Sequence, residues 1–156
     1  MDEQPVPIAK VLDVIARMYE TAIPFNKVLG LKVDSMCSES ARITFDMQPD
    51  FIGNYIHHIL HGGVISSVLD ATGGITATMG ALQQMEGKTA SEIEKRVARI
   101  GTIDLRVDYL RPGRGNHFVS TGKIMRAGRR VAVARMELAN DEEKLIAVGT
   151  GTYIIG

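Results

Sequence analysis

Residues 51–85 carry a single formal charge, that of Asp70, although charged residues make up 23% of the whole chain. Within this stretch, residues 62–82 have the length of a helix, and apolar side chains recur along one side of it. The other sides of this helix carry no charge except that of Asp70. A helix with so little charge on any side is stable only when the rest of the protein covers it. A membrane span is the alternative, but five glycines and five Ser or Thr residues make residues 62–82 too polar for hydrocarbon.

Six other segments can form strands that cover such a helix. In one of them, residues 103–109, apolar side chains alternate with charged ones, which is the period of a strand with one face in water. The pattern predicts an α+β fold in which an antiparallel β-sheet wraps around one long central helix. The predicted strands are residues 31–37, 41–47, 103–109, 117–126, 131–139 and 145–155.

The segments before the central helix include one more helix. Residues 8–20 carry an apolar stripe with three- and four-residue steps, which predicts an amphipathic helix. Pro24 is expected to end this helix, and residues 25–30 then form a short link. Residues 51–60 predict a loop or a short helix.

Charged residues are again frequent in residues 83–100, and the pattern predicts a short, solvated helix. Thr89-x-x-Glu92 and Ser91-x-x-Glu94 are both capping boxes that could begin it. Glu92 and Arg96 have the spacing of an ion pair on one helix face.

Length and composition limit the organisation of the chain. Its 156 residues suit one domain, residues 1–156, with an N-terminal helical extension (1–23) and a helical insertion (83–100). Eighteen basic and eighteen acidic residues give no net charge, which argues against a general nucleic-acid-binding surface. The single cysteine, Cys37, excludes an internal disulfide, and the acidic start lacks the order of a secretory signal. We therefore expect a cytoplasmic protein with no membrane or nucleic-acid partner.

His61-Gly62-Gly63 stands at the start of the central helix. The first N–H groups of a helix have no intrahelical acceptor, and the helix dipole makes this end partly positive. Two glycines let a ligand approach the backbone, so the segment predicts an oxyanion site. The alternative is that the glycines only permit close packing of the helix on the sheet.

Asp70 is the other candidate on the same helix. A carboxylate in an apolar helix costs several kcal/mol unless it is paired, hydrogen-bonded or placed at a wet cleft. Such groups concentrate at functional sites. A structural hydrogen bond to a backbone or hydroxyl group is the alternative.

The spacing of these two features predicts a dimer. Gly62 and Asp70 are eight residues apart, or about 12 Å along a helix axis. One carbonyl can meet both groups only if a second copy of the helix runs alongside in the opposite direction, in an isologous dimer. A polarised carbonyl and a carboxylate-activated water suit acyl hydrolysis, and a thioester fits best because a thiolate leaves easily.

The sequence also contains residues typical of three other kinds of site: a metal site, a nucleophilic cysteine and a phosphate site. His57 and His61 have a metal-binding spacing, but no third ligand follows, so we expect no metal and no cofactor. Cys37 has no obvious base and is not expected to be a nucleophile. The segment from Arg106 to Arg135 contains eight basic residues and one acidic residue. Such a segment can bind phosphate groups. The alternative is a solvated basic edge of the sheet.

Two motifs, His61-Gly62-Gly63-x6-Asp70 and the segment from Thr102 to Gly113 with its Tyr-Leu-Arg-Pro, resemble the hotdog-fold thioesterases of the PaaI-like family. Three segments resemble most the bacterial YigI group of that family, which acts on medium- and long-chain acyl-CoA. They are Pro24-Phe25-Asn26, Ile59-Leu60-His61-Gly62-Gly63 and Gly101-Thr102-Ile103-Asp104. The resemblance implies a homodimer, often paired again into a tetramer, with antiparallel central helices. It implies no cofactor for hydrolysis.

The resemblance also implies roles for individual residues. Asp70 would activate water, the Gly62 N–H would hold the thioester oxygen, and His61 would orient the loop. Thr102 would assist the carboxylate, although simple alternation puts it on the polar face with Asp104. The family's asparagine position is Tyr55 here, with Asn54 beside it. The expected acyl-CoA contacts are Asn54, Gly63, Leu110, Arg111, Pro112, Arg114, Gly128 and Arg129.

Two other functions are compatible with the same pocket. One is a non-catalytic acyl-CoA sensor or carrier. The other is a hotdog hydratase or dehydratase, which would need a histidine in a proline-rich loop, whereas no proline lies between Pro49 and His61. Whichever function applies, residues 83–100 could act as a lid, and the sequence does not decide this.

Overall fold

The computed structural model describes residues 4–156, so Met1 to Glu3 of the acidic start lie outside the described residues. All four α-helices of the described residues lie in the first two thirds of the chain, and four long strands follow them. The helices are α1 (Ile8–Arg17), α2 (Pro24–Leu29), α3 (Gly62–Leu82) and α4 (Ala90–Val97). The strands are β1 (Lys32–Met36), β2 (Ser40–Asp46), β3 (Ile52–Asn54), β4 (Ile59–Leu60), β5 (Gly101–Tyr109), β6 (His117–Ala127), β7 (Val131–Asn140) and β8 (Leu145–Ile154).

Residues 62–82, the predicted central helix, form α3 with the predicted bounds. Six antiparallel strands pack around it in the order β1-β2-β6-β7-β8-β5. The core between helix and sheet includes Leu69 and Ile75 from α3 and Phe118 and Met136 from the sheet, all fully buried. Each such side chain contributes about 1.5–3 kcal/mol through burial. The predicted α+β class and sheet around a central helix are confirmed.

The two halves of α3 differ in their surroundings. Every residue from Ile75 to Leu82 is buried. In the N-terminal half a stripe of small residues that includes Ser67, Asp70, Ala71 and Gly74 stays partly exposed. Within residues 4–156, no helix combines the length and the apolar character needed to cross a membrane.

The N-terminal segment differs from the prediction after Arg17. Helix α1 passes into a π-helical turn, Met18–Ala22, whose Tyr19 side chain is buried. The first helical segment ends at Ala22, and Ile23 before Pro24 is extended, in agreement with the prediction. Pro24 itself begins α2, since proline is favoured at the first helical position. The expected link over residues 25–30 is therefore wrong. Gly30 ends α2 in the left-handed conformation, with φ of 64°.

Residues 51–60 form a small hairpin rather than a loop or helix. Strands β3 and β4 pair antiparallel, outside the main sheet. The backbone N–H of His61 donates to the Phe51 carbonyl over 2.7 Å, and that of Leu60 donates to the Gly113 carbonyl. The hairpin therefore fixes the chain that enters α3.

Helix α4 begins at the first of the two predicted capping boxes. The Thr89 hydroxyl accepts from the Glu92 N–H, and the Glu92 carboxylate accepts from the Thr89 N–H. The predicted Glu92–Arg96 pair is wrong, because Glu92 pairs with Lys88. Arg96 instead donates to the backbone carbonyls of Ile155 and Arg129, which ties α4 to the end of the sheet.

A β-bulge interrupts the alternation near the start of β5. Thr102 lies opposite Tyr153 of β8, whereas Asp104 lies opposite Thr152, so one extra residue, Ile103, stands between them. The bulge turns Thr102 to the opposite face from Asp104. The expectation that these two residues share a polar face is therefore wrong.

The cap of α4 supports a stability prediction. We expect Thr89→Ala to lower the free energy of unfolding by about 1 kcal/mol, because the first turn loses the acceptor for the Glu92 N–H. Urea unfolding followed by circular dichroism measures this. Thr89→Ser keeps the hydroxyl and should retain most of the stability; an equal loss in both variants would contradict the capping role.

Candidate active site

Asp70 lies on the partly exposed stripe of α3, beside the start of β5. The Thr102 hydroxyl donates to its Oδ1 over 2.9 Å. The Tyr153 hydroxyl lies 3.4 Å from the same oxygen and 3.3 Å from the Asp70 carbonyl oxygen. Both donors reach Oδ1, whereas no hydrogen bond to Oδ2 is present within residues 4–156.

Tyr153 is a site residue that the sequence reasoning missed. Its phenol occupies space that two glycines leave open: a Cβ at Gly73 would lie 1.9 Å from the Tyr153 oxygen, and one at Gly151 would lie 2.5 Å from it. Burial, with a further contribution from Asp70, raises the pKa of Tyr153 well above its ordinary value. The phenol therefore stays protonated and can act as a donor. Gly151 was the available signal, since a glycine inside a strand marks a close approach.

The cavity beside Asp70 has a volume of about 230 Å³. Tyr19 closes one side of it, and burial raises the pKa of that tyrosine to about 12. The cavity is therefore walled by hydroxyl groups that remain neutral at physiological pH. It is lined by Tyr19, Ile23, Phe25, Asn26, Ser67, Asp70, Ala71, Gly74, Ile100, Gly101, Thr102 and Tyr153.

Gly62 begins α3 at the other end of the stripe. His61 caps the helix, because its Nδ1 accepts from the Gly63 N–H over 2.8 Å. A Cβ at Gly63 would lie 2.9 Å from that nitrogen, so glycine is needed for this close cap. The Gly62 N–H is among those with no intrahelical acceptor. It remains available to an external oxygen.

Neighbouring segments hold this helix start in position. The Tyr109 hydroxyl, at the end of β5, donates to the Gly62 carbonyl oxygen over 3.1 Å. Gly53 of the small hairpin packs against His61, where a Cβ would lie 2.6 Å from the histidine Cα. The geometry therefore fixes where the Gly62 N–H points.

The two halves of the candidate site do not meet within one chain. Gly62 and Tyr109 lie at one end of β5, and Asp70 and Thr102 lie at the other. The regular helix between Gly62 and Asp70 separates them by about 12 Å along its axis. One chain supplies either group to a single small ligand, but not both.

Asn54 and the neighbouring histidines are not part of either half. The Asn54 side-chain oxygen accepts from the N–H groups of Ile56 and His57, which closes the turn of its own hairpin. His57 and His58 are exposed there. Across residues 4–156, no group of three His, Cys, Asp or Glu side chains is placed to hold a metal ion.

The predicted phosphate contacts form two separate groups at opposite ends of the sheet. Arg111 and Arg114 line a cavity of about 300 Å³ together with Pro112, and Arg111 also donates to the Leu145 carbonyl. Leu110, which precedes them, is half exposed. This group lies at the Gly62 end of the site.

The second arginine group lies at the Asp70 end. Arg96, Arg99, Arg129 and Arg130 line an open cavity of about 640 Å³. The Gly128 N–H donates to Val131 and its carbonyl accepts from Gln84, which holds the turn that carries two of these arginines. The sequence pattern indicated the 126–130 turn but not its approach to α4.

Comparisons with known proteins agree with this architecture. A family model described as the thioesterase superfamily matches residues 57–147. The medium/long-chain acyl-CoA thioesterases YigI of Escherichia coli K12 and Salmonella typhimurium are each 45% identical over 145 residues, which is 93% of this chain and 94% of the relative. The resemblance to the YigI group is thereby confirmed.

Solved structures show the same fold. A thioesterase-superfamily protein from Shewanella oneidensis has a TM-score of 0.92 and 46% identity, covering 96% of this chain and 99% of the other. A protein from Syntrophus aciditrophicus has a TM-score of 0.86 and 44% identity, covering 96% and 98%. The predicted hotdog fold is confirmed, and the chain belongs to the thioesterase superfamily.

Proposed function

We propose that this protein hydrolyses acyl-CoA thioesters to free fatty acid and CoA in sites shared between two chains. The carrying observation is that one open stripe of α3 presents a hydrogen-bonded carboxylate, Asp70, and a helix-start N–H, Gly62, which are too far apart to act together in one chain. The relatives that are 45% identical are named medium/long-chain acyl-CoA thioesterases, which supports the substrate class.

Two unpaired surfaces favour an isologous dimer. Strand β5 is an edge strand of nine residues, and its Ile103 and Tyr109 side chains are more than half exposed. A long unpaired edge invites pairing with another chain. The open stripe of α3 lies next to it, with small residues that allow a second helix to approach closely. A two-fold axis near the middle of both elements pairs β5 with β5 and α3 with α3.

This symmetry assembles the separate halves of the site. Asp70 and Thr102 of one chain then face Gly62 and Tyr109 of its partner. The same operation brings the Arg111–Arg114 end of one chain toward the Arg129–Arg130 end of the other. Arginine side chains from both ends then become available for the phosphate groups of the CoA nucleotide. A further pairing of dimers into a tetramer is compatible with this arrangement.

The chemistry follows from the charges that develop. The Asp70 carboxylate accepts a proton from a water molecule while the water oxygen bonds to the thioester carbonyl carbon. The carbonyl oxygen becomes an oxyanion, which the partner's Gly62 N–H and helix start stabilise. When the tetrahedral intermediate collapses, the C–S bond breaks, and the CoA thiolate and fatty acid leave. Asp70 gives its proton to the departing thiolate or to solvent, which restores the carboxylate. A thiolate needs little acid assistance, because thiol pKa values are about 8.5.

Thr102 and Tyr153 position the carboxylate for this step. Their hydroxyl groups bind Oδ1, so Oδ2 is the oxygen that takes the proton. His61 acts through the cap that fixes Gly62 and Gly63. Residues 1–156 act as one domain in this proposal, and the cytoplasmic location remains a prediction.

We expect Asp70→Asn to lower kcat for acyl-CoA hydrolysis at least tenfold, which corresponds to about 1.4 kcal/mol of barrier. The amide has the same shape but cannot take the proton from water. Thiol release from a panel of acyl-CoA chain lengths measures the loss, with Asp13→Asn on an exposed face of α1 as the control. A smaller loss would make Asp70 structural. If the wild type binds acyl-CoA tightly but does not hydrolyse it, the protein is a sensor or carrier. If the absorbance of an enoyl-CoA changes when the protein is added, the protein is a hydratase or dehydratase.

The hydroxyl of Thr102 gives a separate prediction. Thr102→Val keeps the shape of the side chain but removes the donor to Oδ1, so we expect kcat to fall about tenfold with little change in KM. Thr102→Ser restores a hydroxyl and should recover most of the rate. If Val and Ser variants lose activity equally, the role of Thr102 lies in strand packing.

A further inference from the structure

Another cavity lies between α1 and α4, next to the buried half of α3. It has a volume of about 690 Å³. We call it the α1–α4 groove. Eleven of its fifteen lining residues carry aliphatic or methionine side chains. Its walls include Val11, Val14, Ile15, Met18, Ile93 and Val97.

The groove adjoins the cavity beside Asp70. Tyr19, Ile23 and Ile100 line both cavities, so these three side chains form a common wall. A molecule whose reacting group lies at Asp70 therefore has the groove directly behind the side chain of Tyr19.

The polar groups at the floor of the groove are already bonded. The Thr78 hydroxyl donates to the Gly74 carbonyl over 2.9 Å. Within residues 4–156, no buried side-chain nitrogen or oxygen lacks a hydrogen-bond partner. The two charged residues of the lining, Lys10 and Glu94, are exposed to solvent. The floor therefore suits an occupant that has no hydrogen-bonding groups, which excludes most peptide segments.

We propose that the α1–α4 groove binds the acyl chain of the substrate, which reaches it past Tyr19, and that the length of the groove sets the preferred chain length. This inference rests on the proposed thioesterase function and adds the place where the chain lies. A volume of about 690 Å³ is in the range of about 300–1,000 Å³ that is usual for ligand sites. The N-terminal extension and the helical insertion then form the specificity site.

Burial of an apolar chain gives the expected dependence on length. Each methylene that enters the groove should raise kcat/KM about fourfold until the groove is full. Val14 lies on the rim with 65% of its surface exposed, so a large side chain there can narrow the groove without disturbing the core. Val28 on α2 is 62% exposed and outside the groove lining, and so provides a matched control.

The experiment compares Val14→Trp with Val28→Trp. We expect Val14→Trp to lose at least tenfold in kcat/KM for palmitoyl-CoA while its value for butanoyl-CoA stays within twofold of wild type. Val28→Trp should follow the wild type at both chain lengths. Coincident profiles of the two variants would overturn the proposal, and so would a change of oligomeric state in Val14→Trp alone, since the groove would then bind a second copy.

A binding measurement separates this proposal from the proposed catalysis. S-hexadecyl-CoA is a thioether that cannot be hydrolysed, and calorimetry should show at least tenfold weaker binding to Val14→Trp than to Val28→Trp. If the wild type hydrolyses no acyl-CoA but this difference persists, the catalytic proposal fails and the groove proposal stands. If hydrolysis proceeds but both variants bind the thioether equally, the groove proposal fails alone.

Discussion

The structure depends on the covering of a helix that is apolar on nearly every side. The six-stranded sheet covers one side of α3 along its whole length, and every residue from Ile75 to Leu82 is buried. Along one stripe of the N-terminal half, small residues remain partly exposed around Asp70. A carboxylate can remain charged only on such an open side, where water and hydroxyl groups solvate it. The helix must be buried and Asp70 must remain accessible to solvent. The site can therefore lie only on the partly exposed stripe of α3.

The same stripe explains why hydroxyl groups and glycines surround the carboxylate. Thr102 and Tyr153 bind its Oδ1, and Gly73 and Gly151 leave the room that the Tyr153 ring needs. The helix start at Gly62 is fixed just as firmly, by a histidine cap and a tyrosine hydrogen bond. Both groups are therefore held in place by hydrogen bonds to neighbouring side chains. In our account, the second chain is what brings them together, and the helices α1 and α4 add a place for the acyl chain.

The sequence predicted those parts of the fold that depend on local pattern. The bounds of α3, the main strands, the capping box at Thr89 and the candidacy of Asp70 follow from charge, periodicity and spacing. The errors have different causes. The link expected over residues 25–30 is helical because Pro24 has a φ that suits the first helical position, which is a local signal. Arg96 does not pair with Glu92 because it donates to backbone carbonyls that only the folded sheet brings near. The bulge at Ile103 shifts Thr102 by one position, and strict alternation cannot foresee such an insertion.

The shared site is tested most directly by mixing two inactive variants. Gly62→Pro removes the backbone N–H and adds a ring whose Cβ would lie 3.4 Å from the Tyr109 ring, an ordinary contact distance. Proline suits the first helical position, and the His61 backbone (φ −65°, ψ 137°) already accommodates a following proline. Co-expressed with Asp70→Asn, Gly62→Pro forms mixed dimers that each contain one intact site. Random assortment should restore about a quarter of wild-type activity, although each variant alone is nearly inactive. A mixture no more active than its components, or a fully active monomer, would contradict a site built from two chains.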